Sequence, residues 1–327
     1  MNTPFVSNSR IALVAFTFLA LAGCGGGGGG ASAPLPAPSA EVWKGVGIAI
    51  GTGVPGTTSV LMPEVVQVSS GLFRMYYGQG RLDGGWDIWY AESVDGNHWT
   101  VGTIALAGAT DPADPEFEIR GASLVHLPTG QWRMYYQATP KFDELNPTNP
   151  PPFFQMMSAI SSDGVTFTRE GVRIGNEHFD PRSILGAAAH ARVIQLDSGT
   201  YAAYVSGRLR TPNSGGLYLC LSSDGLVFHS PQFVVAGGDP YVVRLNGQYL
   251  LYVDTSLPGS SFGGEALLAS PDGINWSPPS SVTLEDAGGT KINYGPDVGG
   301  LVMPNGKLRL FSNYNFSSIL FYDRITP

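Results

Sequence analysis

Five copies of one β-hairpin cassette fill most of this chain, and such a repeat restricts it to an architecture assembled from like sheets. The clearest copy runs from Gly238 to Val253. It has an Asp-Pro entry, an alternating strand, the turn Asn246-Gly247, and a second strand rich in aromatic and β-branched residues. Met62-Pro63-Glu64-Val65 leads in the same way to Phe73–Tyr77, and Gly121-Ala122-Ser123-Leu124 to Trp132–Tyr136. His190-Ala191-Arg192-Val193 leads to Tyr201–Val205, and Asp297-Val298-Gly299-Gly300 to Leu308–Phe311.

Four cassettes are followed by a third strand and a second motif, Ser-x-Asp-Gly-x-x-aromatic. Its copies are Ser93–Trp99, Ser161–Phe167, Ser222–Phe228 and Ser270–Trp276. The Asp-Gly pair supplies positive φ for a tight turn, and the aromatic residue packs back onto its sheet, so these aspartates read as structural. Four strands per unit, five units and no helical periodicity predict an all-β, five-bladed β-propeller over residues 41–327. The fifth unit lacks this turn and has room for three strands, ending in Ile319–Tyr322. Its fourth strand is expected from the N-terminal side, Val42–Ala49, which would close the ring and leave no free edge.

Forty-four glycines, twenty-five prolines and few charges suit short strands joined by tight turns. A net charge of −8, with no basic cluster, argues against a nucleic-acid partner and fits a neutral ligand such as a sugar. Of two cysteines, Cys220 lies in an apolar run and reads as a small buried hydrophobe. The other, Cys24, ends a leader. Arg10 precedes the apolar run Ile11–Ala20, the layout of a signal peptide over residues 1–23. That run closes on Leu21-Ala22-Gly23-Cys24, which resembles a bacterial lipobox and implies cleavage before Cys24 and its lipidation. Residues 24–40, a glycine run and then a Pro/Ala/Ser tract, read as a tether. The expectation is an exported monomer held to the cell envelope by its lipid alone. Gly25 favours the outer membrane.

Propeller geometry sets the first strand of each blade against a central channel. The residues expected to face that channel are Met62 and Glu64, Gly121 and Ser123, His190 and Arg192, Asp239 and Tyr241, and Asp297 and Gly299. Long loops gather on one face. They bring Trp86 and Asp87, the acidic stretch 111–120 ending in Arg120, Glu177, His178, Asp180 and Arg182, Arg208 and Arg210, and Asn293 and Tyr294.

Asp239-Pro240 through Tyr252, followed by Ser270-Pro271-Asp272-Gly273-Ile274-Asn275-Trp276, resembles the five-bladed superfamily of arabinanases, levansucrases and invertases, which includes glycoside hydrolase families 43 and 32. The resemblance covers residues 41–327. It implies carboxylates on the inner strands of the early blades, a base or nucleophile in blade one and an acid in a later blade. Here the blade-one position is Met62, the blade-two position is Gly121, and blade three offers His190. Aspartate stands at this cassette position only in blades four and five, as Asp239 and Asp297.

Three readings stay open. The first is a glycosidase with a relocated carboxylate pair, drawn from Glu64, Asp239, Asp297 and the loop acids Glu177 and Asp180. The second is a silent glycan-binding propeller whose ligand contacts are Trp86, Arg120, Ser123, His190, Arg192, Tyr241 and Tyr294. The third is a scaffold lipoprotein with a plugged channel. No cofactor is expected. Some relatives hold calcium in the channel, and His190 with Asp297 could contribute, but no ligand spacing supports it.

Overall fold

The repeated cassettes form antiparallel meanders, and their second strands, such as Trp132–Thr139, are buried along their whole length because both faces of each sheet pack against neighbours. The computed structural model describes residues 34–51, 57–141, 154–175, 179, 188–208, 215–229, 231–255, 264–292, 297–314 and 317–325. Strand β1 (Glu41–Ile50) precedes blade one, which holds β2 (Thr57–Ser69), β3 (Leu72–Arg81), β4 (Trp86–Ser93) and β5 (Thr100–Leu106). Blade two holds β6 (Glu118–His126), β7 (Trp132–Thr139), β8 (Gln155–Ser161) and β9 (Thr168–Ile174). Blade three holds β10 (Ala189–Gln195), β11 (Tyr201–Arg208), β12 (Gly215–Ser222) and β13 (Gln232–Val235). Blade four holds β14 (Gly238–Leu245), β15 (Gln248–Thr255), β16 (Gly264–Ser270) and β17 (Ser280–Glu285). Blade five holds β18 (Val298–Val302), β19 (Leu308–Tyr314) and β20 (Ser318–Arg324), with β1 antiparallel to β20 as its outer strand. No helix occurs among the described residues, and Leu35–Pro327 form one compact unit.

The closing strand makes one pairing that the sequence did not suggest. Its first residues also run parallel to β17, Glu41 beside Val282, so blades four and five share one eight-stranded sheet.

Neighbouring blades are held by the Ser-x-Asp-Gly turns. In the first, the Ser93 hydroxyl donates to Asp95 and accepts from the Gly96 N–H, while Asp95 Oδ1 accepts from the N–H groups of Asn97 and His98. The same bonds recur at Ser161, Ser222 and Ser270. Glycines 96, 164, 225 and 273 adopt φ near +70° (71°, 68°, 71° and 73°), as the turn requires. Backbone N–H groups draw the Asp163 and Asp224 carboxyls down to about 2, those of Thr166 and Val165 and those of Val227 and Leu226 respectively.

Each turn then docks on the preceding blade. The hydroxyls of Tyr76, Tyr135 and Tyr204 donate to the carbonyls of Gly164, Gly225 and Gly273, at 2.5, 2.8 and 2.5 Å. Phe167, Phe228 and Trp276 pack edge-on against the same three tyrosines. From blade five to blade one, Arg309 reaches the Gly96 carbonyl and Trp99 packs on Phe311.

At the seam between blades four and five, Glu41 takes the place of the missing turn. One carboxylate oxygen accepts from Tyr252 Oη at 2.9 Å and Trp43 Nε1 at 2.8 Å, and the other from Arg324 Nη1 at 2.7 Å. Glu41→Ala strands two buried donors and lowers unfolding free energy by about 3 kcal/mol, measured by urea denaturation. Removing residues 41–50 replaces the single cooperative transition with a broad one.

Candidate active site at the channel mouth

The innermost strands share a kink that shapes the mouth. In blades one to four the first cassette residue turns left-handed: Met62 at φ 57°, Gly121 at 66°, His190 at 49° and Asp239 at 48°. Strand pairing breaks at each, between Leu61 and Glu64, Arg120 and Ser123, Ala189 and Arg192, and Gly238 and Tyr241. Three of the four are not glycine. A left-handed residue of that kind costs on the order of 1–3 kcal/mol and persists where surrounding structure imposes it.

These four residues and Asp297 converge around one narrow opening with a cavity volume of about 10 Å³, also lined by Ala191, Arg192, Pro240 and Val298. The five equivalent positions read from the repeat therefore meet at the mouth. Met62 and Gly121 supply no chemistry in blades one and two. The reactive groups come from blades three to five.

His190 Nδ1 pairs with Asp239 Oδ1 and stands 3.1 Å from Asp297 Oδ1. Burial alone would discharge this imidazole, but the Asp239 carboxylate, followed by Asp297, outweighs it and raises the His190 pKa to about 10. Burial likewise opposes ionisation of Asp239, and the His190 cation holds it below the usual range, with help from Arg192 and Arg120. Side-chain amide and hydroxyl groups fix the backbone here. Gln137 Oε1 accepts from His190 N–H at 2.8 Å, and Ser206 Oγ accepts from Asp239 N–H at 2.9 Å. The donor atoms of His190, Asp239 and Asp297 lie within 4.8 Å of one another, close enough to chelate a small cation. A metal would first have to displace the proton of His190, which already supplies the positive charge.

Below the mouth, Arg192 fills the channel. Its guanidinium donates to the carbonyls of Pro63, Ala122, Pro240 and Val298, each the residue after a mouth position, one from each of the other four blades. It also stands 3.4 Å from Glu64 Oε2. Glu64 is buried, which raises its carboxyl pKa despite Arg192 and a backbone bond from Leu124. Arg192→Met leaves Glu64 buried without a counter-ion, an effect of about 3–5 kcal/mol. Thermal denaturation will show a large fall, and adding Glu64→Gln should recover part of it.

Other residues singled out in the sequence fall into two groups. Ser123 is buried and clamps blade three, its hydroxyl accepting from Val193 N–H and donating to the Val193 carbonyl. Tyr241 is buried against Tyr252. These two and Arg192 serve the ring, where ligand contacts were expected, because their polar atoms or faces are taken up inside it. Gly299 is set close under Pro63, whose carbonyl a side chain would strike at 2.0 Å. Arg120 lies over the Trp86 ring at 5.0 Å, beside Gly121. Tyr294, Glu177, His178, Asp180, Arg182, Arg210 and Cys24 lie outside the described residues.

Two acids were missed. Asp254 on β15 is opposite Gly238 on one side and Glu265 of β16 on the other. Burial, then the charges of Asp239 and Asp297, raise the Asp254 pKa to about 6. Glu265 is 4% exposed, and neither carboxylate oxygen has a hydrogen-bond partner among the described residues. Burial, then Asp254, Asp239 and Asp297, raise its pKa well above the usual range. Neither sits on an inner strand, so the channel-facing count passed over them. The signal available was Glu265 itself, a lone acid in the apolar run that ends at Leu268.

No family model matches the chain, and no curated protein matches it. Among solved structures it is similar to a family 117 glycoside hydrolase produced by the marine bacterium Zobellia galactanivorans, with 16% identity and a TM-score of 0.61 over 87% of this chain and 90% of that one. It is similar to a family 43 β-1,3-galactosidase with galactodeoxynojirimycin, at 12% identity and 0.58 over 85% and 94%. A third likeness is to an exo-β-1,3-galactanase from Clostridium thermocellum, at 13% and 0.61 over 86% and 62%. The fold is the glycoside hydrolase β-propeller. Within it, the reactive groups of this chain stand on blades three to five.

A raised carboxyl pKa means that the folded state holds its proton more tightly than the unfolded one. Stability is then greatest below the unfolded value, near 4.5 for Glu265, and is lost as pH rises toward the folded value. Glu265→Gln removes that loss. The variant should melt higher than wild type at pH 8, with the difference closing below about pH 4, in paired melting curves.

Proposed function

We propose that this protein hydrolyses a glycosidic bond of a carbohydrate seated over the channel mouth. The observation that carries the reading is the convergence of Asp239, Asp297 and His190 on equivalent inner-strand positions of a glycoside hydrolase propeller. Glycosidic cleavage needs an ionised carboxylate at the anomeric centre, where positive charge develops in the transition state. Asp239 is held ionised by the protonated His190, and Asp297 adds a second negative charge beside it. Trp86, with Arg120 stacked over its ring, is the aromatic residue this reading assigns to sugar contact. Glu64 stands below the mouth, paired with Arg192, and takes no part in this reading.

The leader over 1–23, the lipobox and the tether support export and lipid attachment at Cys24, with Gly25 favouring the outer membrane. Among the described residues no helix is long and apolar enough to cross a membrane. The propeller would then act as a monomer on glycans at the cell surface.

A panel of aryl glycosides and plant or bacterial oligosaccharides tests the activity. Asp239→Asn is expected to lower kcat by about 10²- to 10⁴-fold with the fold intact by circular dichroism. Saturable glycan binding without turnover on any substrate would replace hydrolysis with binding. Cys24→Ser is expected to abolish incorporation of labelled palmitate.

A further inference from the structure

Blade one carries a wider opening than the mouth, and no mouth residue lines it. Gln79, Arg81, Leu82, Asp83, Asp87 and Trp89, all from the hairpin of β3 and β4, line an open cavity of about 410 Å³. Small-molecule sites occupy roughly 300–1,000 Å³. The mouth, at about 10 Å³, has space for about one water molecule.

Strand register explains the gathering. Tyr77 stands opposite Trp89 and Gln79 opposite Asp87, so all four leave the same face of blade one. Trp89 is half-buried there, packed on the apolar cluster shared with blade five that includes Val60, Tyr77 and Phe311. Trp86, three residues earlier on β4, leaves the opposite face. Val60 is paired with Gln79 and lies two residues before Met62, so the cavity lies toward the mouth end of these strands.

The polar groups on its walls select the ligand. Gln79 is 3% exposed, and its Oε1 has no hydrogen-bond partner among the described residues. A buried amide oxygen without a partner calls for an explanation, and a ligand hydroxyl in the cavity supplies one. Asp87 Oδ1 accepts from Arg81 Nη1 and from the Gly108 N–H, both at 2.8 Å, while no bond among the described residues engages Oδ2. Arg81 is turned onto the protein, its Nε donating to Asp83 Oδ1 at 3.1 Å and its Nη2 to the Ala109 carbonyl at 2.6 Å. Asp83 and Asp87 therefore oppose an anion, and the Arg81 charge on the same wall opposes a cation. Acceptors for hydroxyl groups beside an aromatic ring suit a neutral polyol.

We propose that this cavity is a carbohydrate-binding site separate from the mouth. It holds one neutral sugar residue, the apolar face of the sugar against Trp89 and its hydroxyls donating to Gln79 and Asp87. The site needs no turnover, so it goes beyond the hydrolase reading and fails independently of it.

Saturation-transfer NMR titrations on the full-length protein test it, with the methyl glycosides of β-galactose, β-glucose, β-xylose and α-arabinofuranose as probes. Saturable binding of at least one is expected, with glucuronic acid and glucosamine, the anionic and cationic controls, binding more weakly. Gln79→Leu removes the acceptor and leaves no polar atom behind. It should melt no lower than wild type and weaken binding about 5- to 10-fold. Leu82 is 78% exposed at the rim, so Leu82→Cys offers a thiol there for a bulky maleimide. The capped variant should lose binding that the uncapped one keeps, and wild type treated alike, with Cys220 buried, should keep it. No binding of any of the four probes, tighter binding of a charged control, or binding that survives both changes overturns the site. Melting of Gln79→Leu well below wild type gives the amide a structural role and overturns its part in recognition. Binding lost in Asp239→Asn and kept in Gln79→Leu puts the sugar at the mouth, which overturns the blade-one site and leaves the hydrolase reading in place.

Discussion

The structure turns on one guanidinium. Arg192 leaves blade three, crosses the channel and bonds a backbone carbonyl from each of the other four blades, with Glu64 as its counter-ion. An arginine suits the task because its planar fork carries five donors and does not lose its charge. The carbonyls face inward because the residue before each stands at the kinked entrance of its strand; in blades one, two and four that residue is left-handed. The kink that sets the chemistry of the mouth and the plug that joins the blades are thus adjacent parts of the same strands. A change at Met62, Gly121 or Asp239 alters the seat of Arg192 one residue later.

The repeat made the fold legible. Period-two strands, Asn-Gly and Asp-Gly turns and a recurring aromatic after each turn have direct structural counterparts. So does the borrowed outer strand, because a blade with three strands leaves an unpaired edge. The positions lining the mouth were legible for the same reason, since one alignment of five cassettes places Met62, Gly121, His190, Asp239 and Asp297 at equivalent points. What each residue does there was less legible. Arg192, Ser123 and Tyr241 were counted as facing an open channel, but with Glu64 they are buried inside the ring. A linear pattern gives facing direction without giving the space left over. Asp254 and Glu265 escaped for another reason. Glu265 stands out by its lack of hydrogen-bond partners among the described residues, and its place off the inner strand kept it out of the channel-facing pattern.

Likeness to the propeller glycoside hydrolases shows the shared scaffold, while the chemistry of this chain is arranged by its own residues. Blades one and two contribute Met62 and Gly121 to the mouth, and the ionisable groups cluster on the opposite side, in blades three to five. Blades four and five share one continuous sheet, as blades one and two do.

The Glu41 seam has a consequence for biosynthesis. Strand β1 leaves the ribosome well before β20, its partner, and before Tyr252 and Arg324, which its carboxylate joins. Until those segments arrive, Glu41 and Trp43 have no native neighbours, and the ring stays unsealed while earlier blades can already pair within themselves. The latest-forming seam is thus written into the order of the chain.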